Sequence, residues 1–397
     1  MGQCLATLST DNHGCGKSVR VLLLTDSGAF AGTEQHMLTL AVALQNQDQR
    51  VYVGCPNGSP LAIRCLSLGI PLVEIEKNGA IDFKAVSALL AFVKQTHVDI
   101  VHVHNGRTAL IARLAKVLYP SLKVVFTQHF IAPSSATRLG VSKLISNAVH
   151  SFIAAGLDHI ICISAAVEEA IDLRSDAYAK CSKSVIWNGI DNSLIQVPTI
   201  GDIQTLRDEL EIPPTAHVIL SASRLEPEKS VDLIVKAFAL ICRENPNMLL
   251  VIAGVGSQIS ALRNLVTQLE ISPFVRFVGF RTDVYSLMVV ADVFVIASEA
   301  EPFGLSILES MSLGTSVVAA NSGGPKEIIN DGETGFLFVP GDVNDLQSTI
   351  SRCLHCESDK NITQYAKHVV NNKFTAIRMA SETVKVYALC KDRIERT

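Results

Sequence analysis

Apolar segments of strand length alternate with helical patterns along almost the whole chain, in two separate halves. In the first half the predicted strands are Val19–Thr25, Val51–Cys55, Ile100–His104, Val124–Thr127 and Ile160–Ile163. In the second half they are Val218–Leu220, Leu249–Ile252, Val275–Val278, Val293–Ile296 and Ser316–Ala319. Strands that alternate with helices lie parallel in one sheet, because each helix carries the chain back to the same edge. The sequence therefore predicts an α/β protein with two Rossmann-like domains.

Breaks in this alternation predict the domain boundaries. Residues 1–18 are polar and lack the apolar stretch of a signal peptide, so they are predicted to form a flexible N-terminal tail. The N-terminal domain then covers residues 19–190 and the C-terminal domain covers residues 209–372. An interdomain linker is predicted at 191–208, where Asn192, Pro198 and Gly201 interrupt the periodicity. A last helical stretch, residues 373–397, closes the chain.

One strand-to-helix loop has the chemistry to bind a nucleotide sugar. It opens at Glu301, and a helix is predicted over Leu305–Leu313, so that Glu309 lies about one turn into that helix. Free backbone N–H groups at a helix N-terminus attract phosphate. Here they belong to Phe303, Gly304 and Leu305. The two glutamates can accept hydrogen bonds from sugar hydroxyls, although two solvated glutamates beside an ordinary turn fit the same pattern equally well.

A second loop at a strand end carries two cations, Arg224 and Lys229. Two cations suit a diphosphate, and arginine can bind it bidentately. Ligands of an open parallel sheet bind at the carboxyl ends of its strands, so we expect this loop and the Glu301 loop at one sheet edge. In isolation, a solvated loop in which Glu226 and Glu228 pair with the cations would be the preferred interpretation.

Six motifs in order resemble those of the retaining GT-B glycosyltransferases, in particular family 4. They are Gly32 within Ala31-Gly-Thr-Glu34, Asp99-Ile-Val-His-Val-His104, Asp158-His-Ile-Ile-Cys-Ile-Ser164, Asn188-Gly-Ile-Asp191, Gly323-Gly-Pro-Lys-Glu327 and Asp331-Gly-Glu-Thr-Gly335. The resemblance implies a GT-B fold, in which two Rossmann-like domains face each other across a cleft and the closing helix crosses back onto the N-terminal domain. The sequence departs from the family at Ala31, Ser223 and Ser230, where glycine is usual.

The resemblance also implies a reaction. The enzyme would move a hexosyl unit from a nucleotide diphosphate sugar, UDP- or GDP-linked, to an acceptor with retention of anomeric configuration. We expect it to serve cell-surface polysaccharide, lipopolysaccharide or glycolipid assembly. Arg224, Lys229 and the helix terminus would stabilise the departing diphosphate. Because these groups can replace magnesium, no metal and no other cofactor is expected to be obligatory.

The resemblance assigns roles to individual residues. His104 would be the active-site histidine that hydrogen-bonds the transferring sugar, Glu301 would hold the sugar hydroxyls and Glu309 the ribose hydroxyls. The predicted catalytic set is His104, Glu301, Arg224 and Lys229. The predicted donor-binding set is Gly32, Arg224, Lys229, Phe303, Gly304, Leu305, Glu309, Gly279 and Arg281. The candidate contacts for acceptor or sugar are His129 and Asn188.

His102 alternates with His104 and is expected to pack within its strand. A metal pair would need a third ligand, and none is close in sequence. Two other functional classes stay open. A nucleotide-sugar isomerase of the 2-epimerase type would lack the Glu301–Glu309 spacing, and a non-catalytic partner subunit should have lost its charged site residues.

Charge and composition address partners and location. A net charge of -4 gives no case for a nucleic-acid partner. Ten scattered cysteines predict reduced thiols and a cytoplasmic protein. No apolar run reaches the length of about 18 residues that a membrane span needs.

One basic segment suggests contact with a membrane surface. Between Asp99 and Asp158 there is no acidic residue, and a helical pattern runs over Val141–Ala155. The cations of this segment are Arg107, Arg113, Lys116, Lys123, Arg138 and Lys143. We predict peripheral binding to anionic lipid at the inner face of the membrane, close to a glycan or lipid-linked acceptor. A helix that merely covers a parallel sheet has the same pattern.

Overall fold

A computed structural model describes residues 18–75, 82–131, 141–173, 177–356 and 359–392, with the side chains of 141–146 and 359–360 excepted. The predicted flexible tail therefore lies outside the described residues up to position 17. So do Arg138, the side chain of Lys143 and the end of the last predicted helix, residues 393–397.

In the N-terminal half, the described residues form one parallel sheet of seven strands in the order β3-β2-β1-β4-β5-β6-β7. The strands are β1 (Arg20–Leu24), β2 (Arg50–Cys55), β3 (Leu72–Glu74), β4 (Ile100–Val103), β5 (Lys123–Gln128), β6 (His159–Cys162) and β7 (Lys183–Val185). The intervening helices are α1 (Gly32–Gln45), α2 (Pro60–Ser67), α3 (Phe83–Thr96), α4 (Gly106–Leu118), α5 (Val141–Ala154) and α6 (Ala165–Asp172). The strand order reverses between β1 and β4, and such a reversal is where open α/β sheets bind ligands.

In the C-terminal half, the described residues form a second parallel sheet of six strands in the order β10-β9-β8-β11-β12-β13. Its strands are β8 (His217–Ala222), β9 (Met248–Ala253), β10 (Val275–Gly279), β11 (Val293–Ile296), β12 (Ser316–Ala320) and β13 (Phe336–Phe338). Its helices are α7 (Ile200–Glu209), α8 (Val231–Glu244), α9 (Ile259–Gln268), α10 (Val284–Val290), α11 (Leu305–Leu313), α12 (Pro325–Ile328), α13 (Val343–Leu354) and α14 (Asp359–Lys373). The order reverses between β8 and β11. The predicted pair of Rossmann-like sheets is thus confirmed.

The last helix, α15 (Ala376–Asp392), returns to the first domain. Its residues Met379, Val386 and Tyr387 are buried in the same apolar cluster as strands β1 and β2. The Tyr387 hydroxyl lies 2.7 Å from Nδ1 of His102 in β4. This helix therefore ties the end of the chain to the centre of the N-terminal sheet.

The structure differs from the predicted elements in two places. The helix α7 occupies the second half of the predicted linker and contains Gly201, so the expected break in helical periodicity there is wrong. Thr199 and Asp202 form a capping box that starts this helix and outweighs the low helix propensity of glycine. The strands β3, β7 and β13, of three residues each, were not predicted, because so few residues carry little periodic signal. No helix in the described part of the chain is long and apolar enough to cross a membrane.

Candidate active site

The two sheets present their strand-order reversals to each other. Gly32 is the first residue of α1, after the loop that follows β1, and a Cβ placed there would lie 4.0 Å from Cδ1 of Leu305 at the start of α11. The Ser164 hydroxyl, after β6, donates to the carbonyl of Pro302 at 2.6 Å. Segments from both domains thus meet at Glu301–Leu305. Gly32 and Leu305, both in the predicted donor-binding set, lie close together here.

The Glu301 loop is shaped by its neighbours. Phe303 is buried, and a Cβ on Gly324 would overlap the Phe303 backbone, so only glycine allows this approach. Gly304 adopts φ 105° and ends the loop, after which α11 runs over the predicted residues Leu305–Leu313. Within the described ranges, no side chain caps this helix. Its first N–H groups are therefore available to an anion at its N-terminus.

Lys229 and Glu301 come together at this sheet edge. The Lys229 Nζ lies 2.7 Å from Oε2 of Glu301, and both side chains are largely buried. The sequence predicted that the two loops would share an edge, and the ion pair shows that they do. The lysine thus pairs with Glu301, whereas the alternative interpretation paired it with a neighbour in its own loop.

Arg224 lies in the same loop but is far more open to solvent. Its side chain is 58% exposed and pairs with Glu228 at 2.9 Å. Glu226 instead accepts hydrogen bonds from the backbone and hydroxyl of Ser257. Ser230 holds φ 48°, the left-handed region that favours glycine. The loop therefore keeps the geometry that glycine usually provides in the resembled family, despite the serine.

Glu309 is half-buried on α11, and the hydroxyl of Tyr285 donates to its Oε1 at 3.3 Å. Burial raises the pKa of Glu309 to about 7, and the hydrogen bond from Tyr285 opposes that shift only in part. A carboxyl group with this pKa is present in both protonation states near neutral pH.

Gly279 and Arg281 follow the edge strand β10. Gly279 has φ 68° and accepts a hydrogen bond from Gly254. The Arg281 guanidinium pairs with Glu209 and Asp283, which raise its pKa. Neither of these two acidic residues belongs to the predicted donor-binding set.

Three histidines meet at the reversal of the first sheet. His104 follows β4, His129 follows β5 and His36 lies on α1, and all three are buried. Nδ1 of His104 lies 3.1 Å from Nε2 of His129, and Nδ1 of His36 lies 2.8 Å from Oδ1 of the buried Asn188. Burial and the neighbouring rings hold the pKa values of His104 and His129 well below the usual range.

His36 was missed by the sequence analysis. Burial lowers its pKa to about 4, against the opposing effect of the Asn188 hydrogen bond. The sequence feature that could have identified it is its position four residues after Gly32, in the first turns of the helix that follows the glycine loop. His102 packs in its strand as predicted, with Thr127 and Tyr387 bonded to its two ring nitrogens.

Glu327 was also missed as a functional residue. Its carboxylate accepts hydrogen bonds from the backbone N–H groups of Ala165 and Ala166 at the start of α6. It also accepts one from the indole of Trp187 at 2.8 Å. A carboxylate from the second domain thus caps a helix of the first, which gives the Gly323–Glu327 motif an interdomain role.

Acidic side chains from outside the acid-free segment lie against several of its cations. Lys116 and Lys123 both pair with Asp158, and Arg107 pairs with Asp26. Arg113 instead donates to the Phe152 carbonyl and lies over the Phe152 ring. Three of the six cations are therefore paired, through the two carboxylates Asp26 and Asp158, with neighbours that the sequence window leaves out.

Comparison with known families covers both halves of the chain. The family described as glycosyltransferase family 4 matches residues 30–194, and the family described as glycosyl transferases group 1 matches residues 202–369. The predicted membership is thus confirmed for each domain.

Curated relatives extend over most of the chain. An alpha-monoglucosyldiacylglycerol synthase of Streptococcus pneumoniae (strain ATCC BAA-255 / R6) is 29% identical, over 95% of this chain and 86% of its own length. A UDP-Gal:alpha-D-GlcNAc-diphosphoundecaprenol alpha-1,3-galactosyltransferase of Escherichia coli is 27% identical, over 79% and 80%. Both are glycosyltransferases, which favours that class over the isomerase and the non-catalytic subunit.

Solved structures show the same fold. The Anabaena protein Alr3699/HepE, crystallised with UDP and glucose, superposes with a TM-score of 0.79 at 24% identity. The match covers 93% of this chain and 99% of that protein. The predicted GT-B architecture is confirmed.

Proposed function

We infer that this chain, which belongs to the group 1, family 4 glycosyltransferases with the GT-B fold, transfers a hexosyl unit from a nucleotide diphosphate sugar and retains its anomeric configuration. The observation that carries the proposal is the meeting of Lys229, Glu301 and the uncapped N-terminus of α11 at one sheet edge. That arrangement combines two kinds of anion-binding group with a sugar-binding carboxylate.

The diphosphate would lie between the α11 N-terminus and the two cations of the β8 loop. Negative charge builds on this group as its bond to the sugar breaks. Arg224 can swing from Glu228 to the diphosphate at small cost, because the pair is exposed and such pairs contribute about 0–1 kcal/mol. With these groups in place, the reaction needs no metal ion.

The sugar would lie between Glu301 and the two histidines of the first domain. His104 is almost fully buried and touches His129, which is slightly more open. We propose that they act as a unit, with His129 facing the sugar and His104 setting its orientation and tautomer. The neutral rings can donate to or accept from sugar hydroxyls.

The nucleoside would be bound by residues other than those that hold the sugar. Glu309 would accept the ribose hydroxyls, and the backbone around Gly279 would border the base, with Arg281 held beside it by Glu209 and Asp283. A uridine nucleotide is the favoured donor, because Alr3699/HepE was crystallised with UDP and with UDP-glucose. A GDP-linked donor is the alternative to test.

The acceptor is proposed to be a growing glycan or a lipid-linked sugar of the cell envelope. The support is that the two curated relatives are named for a glucosyldiacylglycerol product and a diphosphoundecaprenol substrate.

A donor screen tests the function. The full chain is incubated with uridine, guanosine and adenosine diphosphate sugars, with and without a lipid-linked or glycan acceptor. We expect acceptor-dependent release of nucleoside diphosphate with one donor, and an NMR coupling constant that shows a product of the donor's own anomeric configuration. Release without any sugar transfer, or a product of inverted configuration, would contradict the proposal.

A further inference from the structure

The three buried histidines offer more nitrogen lone pairs than the protein satisfies. The candidate ligand atoms of His36, His104 and His129 all lie within 4.8 Å of one another. The three residues come from α1 and from the ends of β4 and β5, so three neighbouring strands of the sheet, β1, β4 and β5, fix their spacing. The cluster therefore rests on rigid elements, which suits a preformed binding site.

Two ring nitrogens in this cluster have no hydrogen-bond partner among the residues that the structure describes. They are Nε2 of His36 and Nε2 of His104, both buried. An amide oxygen can only accept, so Nδ1 of His36 carries the hydrogen that Asn188 receives, and Nε2 is left with a free lone pair. An unsatisfied buried acceptor is costly. A ring oriented by a carbonyl oxygen behind its other nitrogen is also the usual arrangement of a metal-binding histidine.

The ligand types select the metal. Neutral imidazole nitrogens, with no carboxylate among the three, suit Zn²⁺ and its neighbours in the first transition row and do not suit Mg²⁺ or Ca²⁺. Tetrahedral Zn–N bonds of about 2.0–2.1 Å place ligand nitrogens about 3.3 Å apart. Nδ1 of His104 and Nε2 of His129 lie 3.1 Å apart, close to this spacing, and share a hydrogen bond whose proton the ion would displace. The candidate atoms of the cluster, which lie within 4.8 Å of one another, would have to move closer together to bind one ion.

The fourth coordination position cannot come from His102. Its ring lies 4.4 Å from that of His104, centroid to centroid, but hydrogen bonds to Tyr387 and Thr127 occupy both of its nitrogens. The fourth position is thus left for water or for an oxygen of a bound sugar.

We propose that His36, His104 and His129 form a binding site for one Zn²⁺ ion, with Asn188 orienting His36. The site is distinct from the metal-free diphosphate clamp. This consequence rests on the proposed function: an ion bound to His129 withdraws that ring from the sugar and removes its hydrogen bond to His104, so zinc inhibits transfer.

Binding is tested on the full chain without a histidine tag, stripped with a chelator and titrated with Zn²⁺ against a chromogenic competitor. We expect one ion per chain. Single replacements of His36, His104 or His129 by alanine should each weaken affinity at least 100-fold. Asn188→Ala should weaken it by about 10–100-fold, the usual effect of losing an orienting partner.

Two matched controls exclude other sites. His97→Asn removes an exposed histidine at φ 53°, where asparagine is tolerated. Cys356→Ser removes a thiol from the Cys353-Leu-His-Cys356 segment. Both should bind zinc as the wild type does. If either control loses the ion, or if all three cluster variants keep it, the proposal is wrong.

The absorption spectrum of bound cobalt tests the ligand set and needs no variant. With Co²⁺ at the trihistidine site, the wild-type chain should show the visible d–d bands of four-coordinate cobalt and no thiolate charge-transfer band in the near ultraviolet. A thiolate band, or no saturable binding at all, would overturn the assignment. The inhibition is measured separately. For each protein, the rate of nucleotide release with zinc is divided by the rate of the same protein without zinc. If Zn²⁺ binds but nucleotide release is unaffected, the site stands and its link to the proposed function fails.

Discussion

Lys229 and Glu301 form a largely buried ion pair at the point where the strand order of the second sheet reverses, with Nζ 2.7 Å from Oε2. The lysine was predicted to bind the diphosphate and the glutamate to bind the sugar. The ion pair therefore links the residues predicted to bind the two sides of the sugar–phosphate bond that breaks. Removing either partner leaves the other charge poorly compensated. Single variants should therefore lose activity for two reasons, and a double variant is needed to separate them.

The first prediction concerns this pair. Glu301→Gln keeps the shape of the side chain but removes its charge, and we expect the turnover rate to fall by about 10–100-fold, the cost of a lost hydrogen bond to a charged group. Binding of nucleoside diphosphate should hold or tighten, because Lys229 is released for the phosphates. The double variant with Lys229→Met should recover thermal stability but not activity. Wild-type turnover in Glu301→Gln, measured with the preferred donor, would refute the role of Glu301.

The second prediction concerns the diphosphate clamp. Arg224→Ala and Lys229→Ala should each lower the rate by about two orders of magnitude, which is typical of losing one preorganised electrostatic donor. Glu228→Gln is the matched control, because it removes only the exposed partner of Arg224 and should leave the rate near that of the wild type. Activity should survive EDTA. If EDTA abolishes turnover and magnesium restores it, the metal-free mechanism is wrong.

The third prediction uses the pKa of Glu309, which burial raises to about 7. Below this pH the protonated carboxyl predominates, and above it the carboxylate, which is the better acceptor for two ribose hydroxyls. Affinity for the donor should therefore rise about tenfold from pH 6 to pH 8. The intact nucleotide sugar is the right probe, since its diphosphate diester stays ionised throughout this range. Glu309→Gln should bind more weakly and show a flat pH profile, whereas an unchanged slope would assign the titration to another group.

The fourth prediction concerns Glu327, which links the domains through Ala165, Ala166 and Trp187. Glu327→Ala should cost about 1–2 kcal/mol of stability, as the loss of a helix cap does. Trp187 is the single tryptophan of the chain, so its fluorescence reports on this contact directly. We expect a red shift in the variant as water replaces the carboxylate. Lys326→Ala, on the neighbouring exposed residue, is the control, and equal spectra in all three proteins would exclude the contact in solution.

Regular elements and strand-end loops were accessible from the sequence because they depend on local patterns. The limits of α11 and the shared edge of the Arg224 and Glu301 loops follow from apolar periodicity and parallel-sheet geometry. Helix α7 was missed because a capping box outweighed a glycine, and β7 because three half-buried residues show no alternation.

Contacts between distant segments were not accessible. His36 and His129 are 93 positions apart in the numbering, and only the order of β1, β4 and β5 makes them neighbours. The pairing of Glu327 with α6 depends on how two domains dock, which no single segment specifies. The neutralisation of Lys116 by Asp158 likewise requires knowing which strands are adjacent.

The final prediction is that the protein binds anionic membranes without spanning them. Spatial pairing removes Arg107, Lys116 and Lys123 from the count of available cations. Arg113 remains, together with Arg138 and Lys143, whose side chains lie outside the described residues. The described residues of this segment also expose apolar side chains, with Phe130 at 56% exposure and Val149 and Phe152 at 40% and 37%, and Phe152 lies against Arg113.

Such a surface can insert shallowly while its cations contact lipid headgroups, each contributing on the order of 1 kcal/mol. Sedimentation with vesicles should show binding to anionic lipid that is lost in neutral lipid or at high salt. Replacing Arg138 and Lys143 by glutamate should weaken binding, and so should Phe130→Ser. Lys236→Glu, a charge reversal on α8 of the other domain, should not. The glutamate replacements remove the electrostatic contribution, and Phe130→Ser removes part of the apolar contribution. If only one of these changes weakens vesicle binding, the contribution that it removes dominates. Indifference to every vesicle would favour an acceptor that is free in solution.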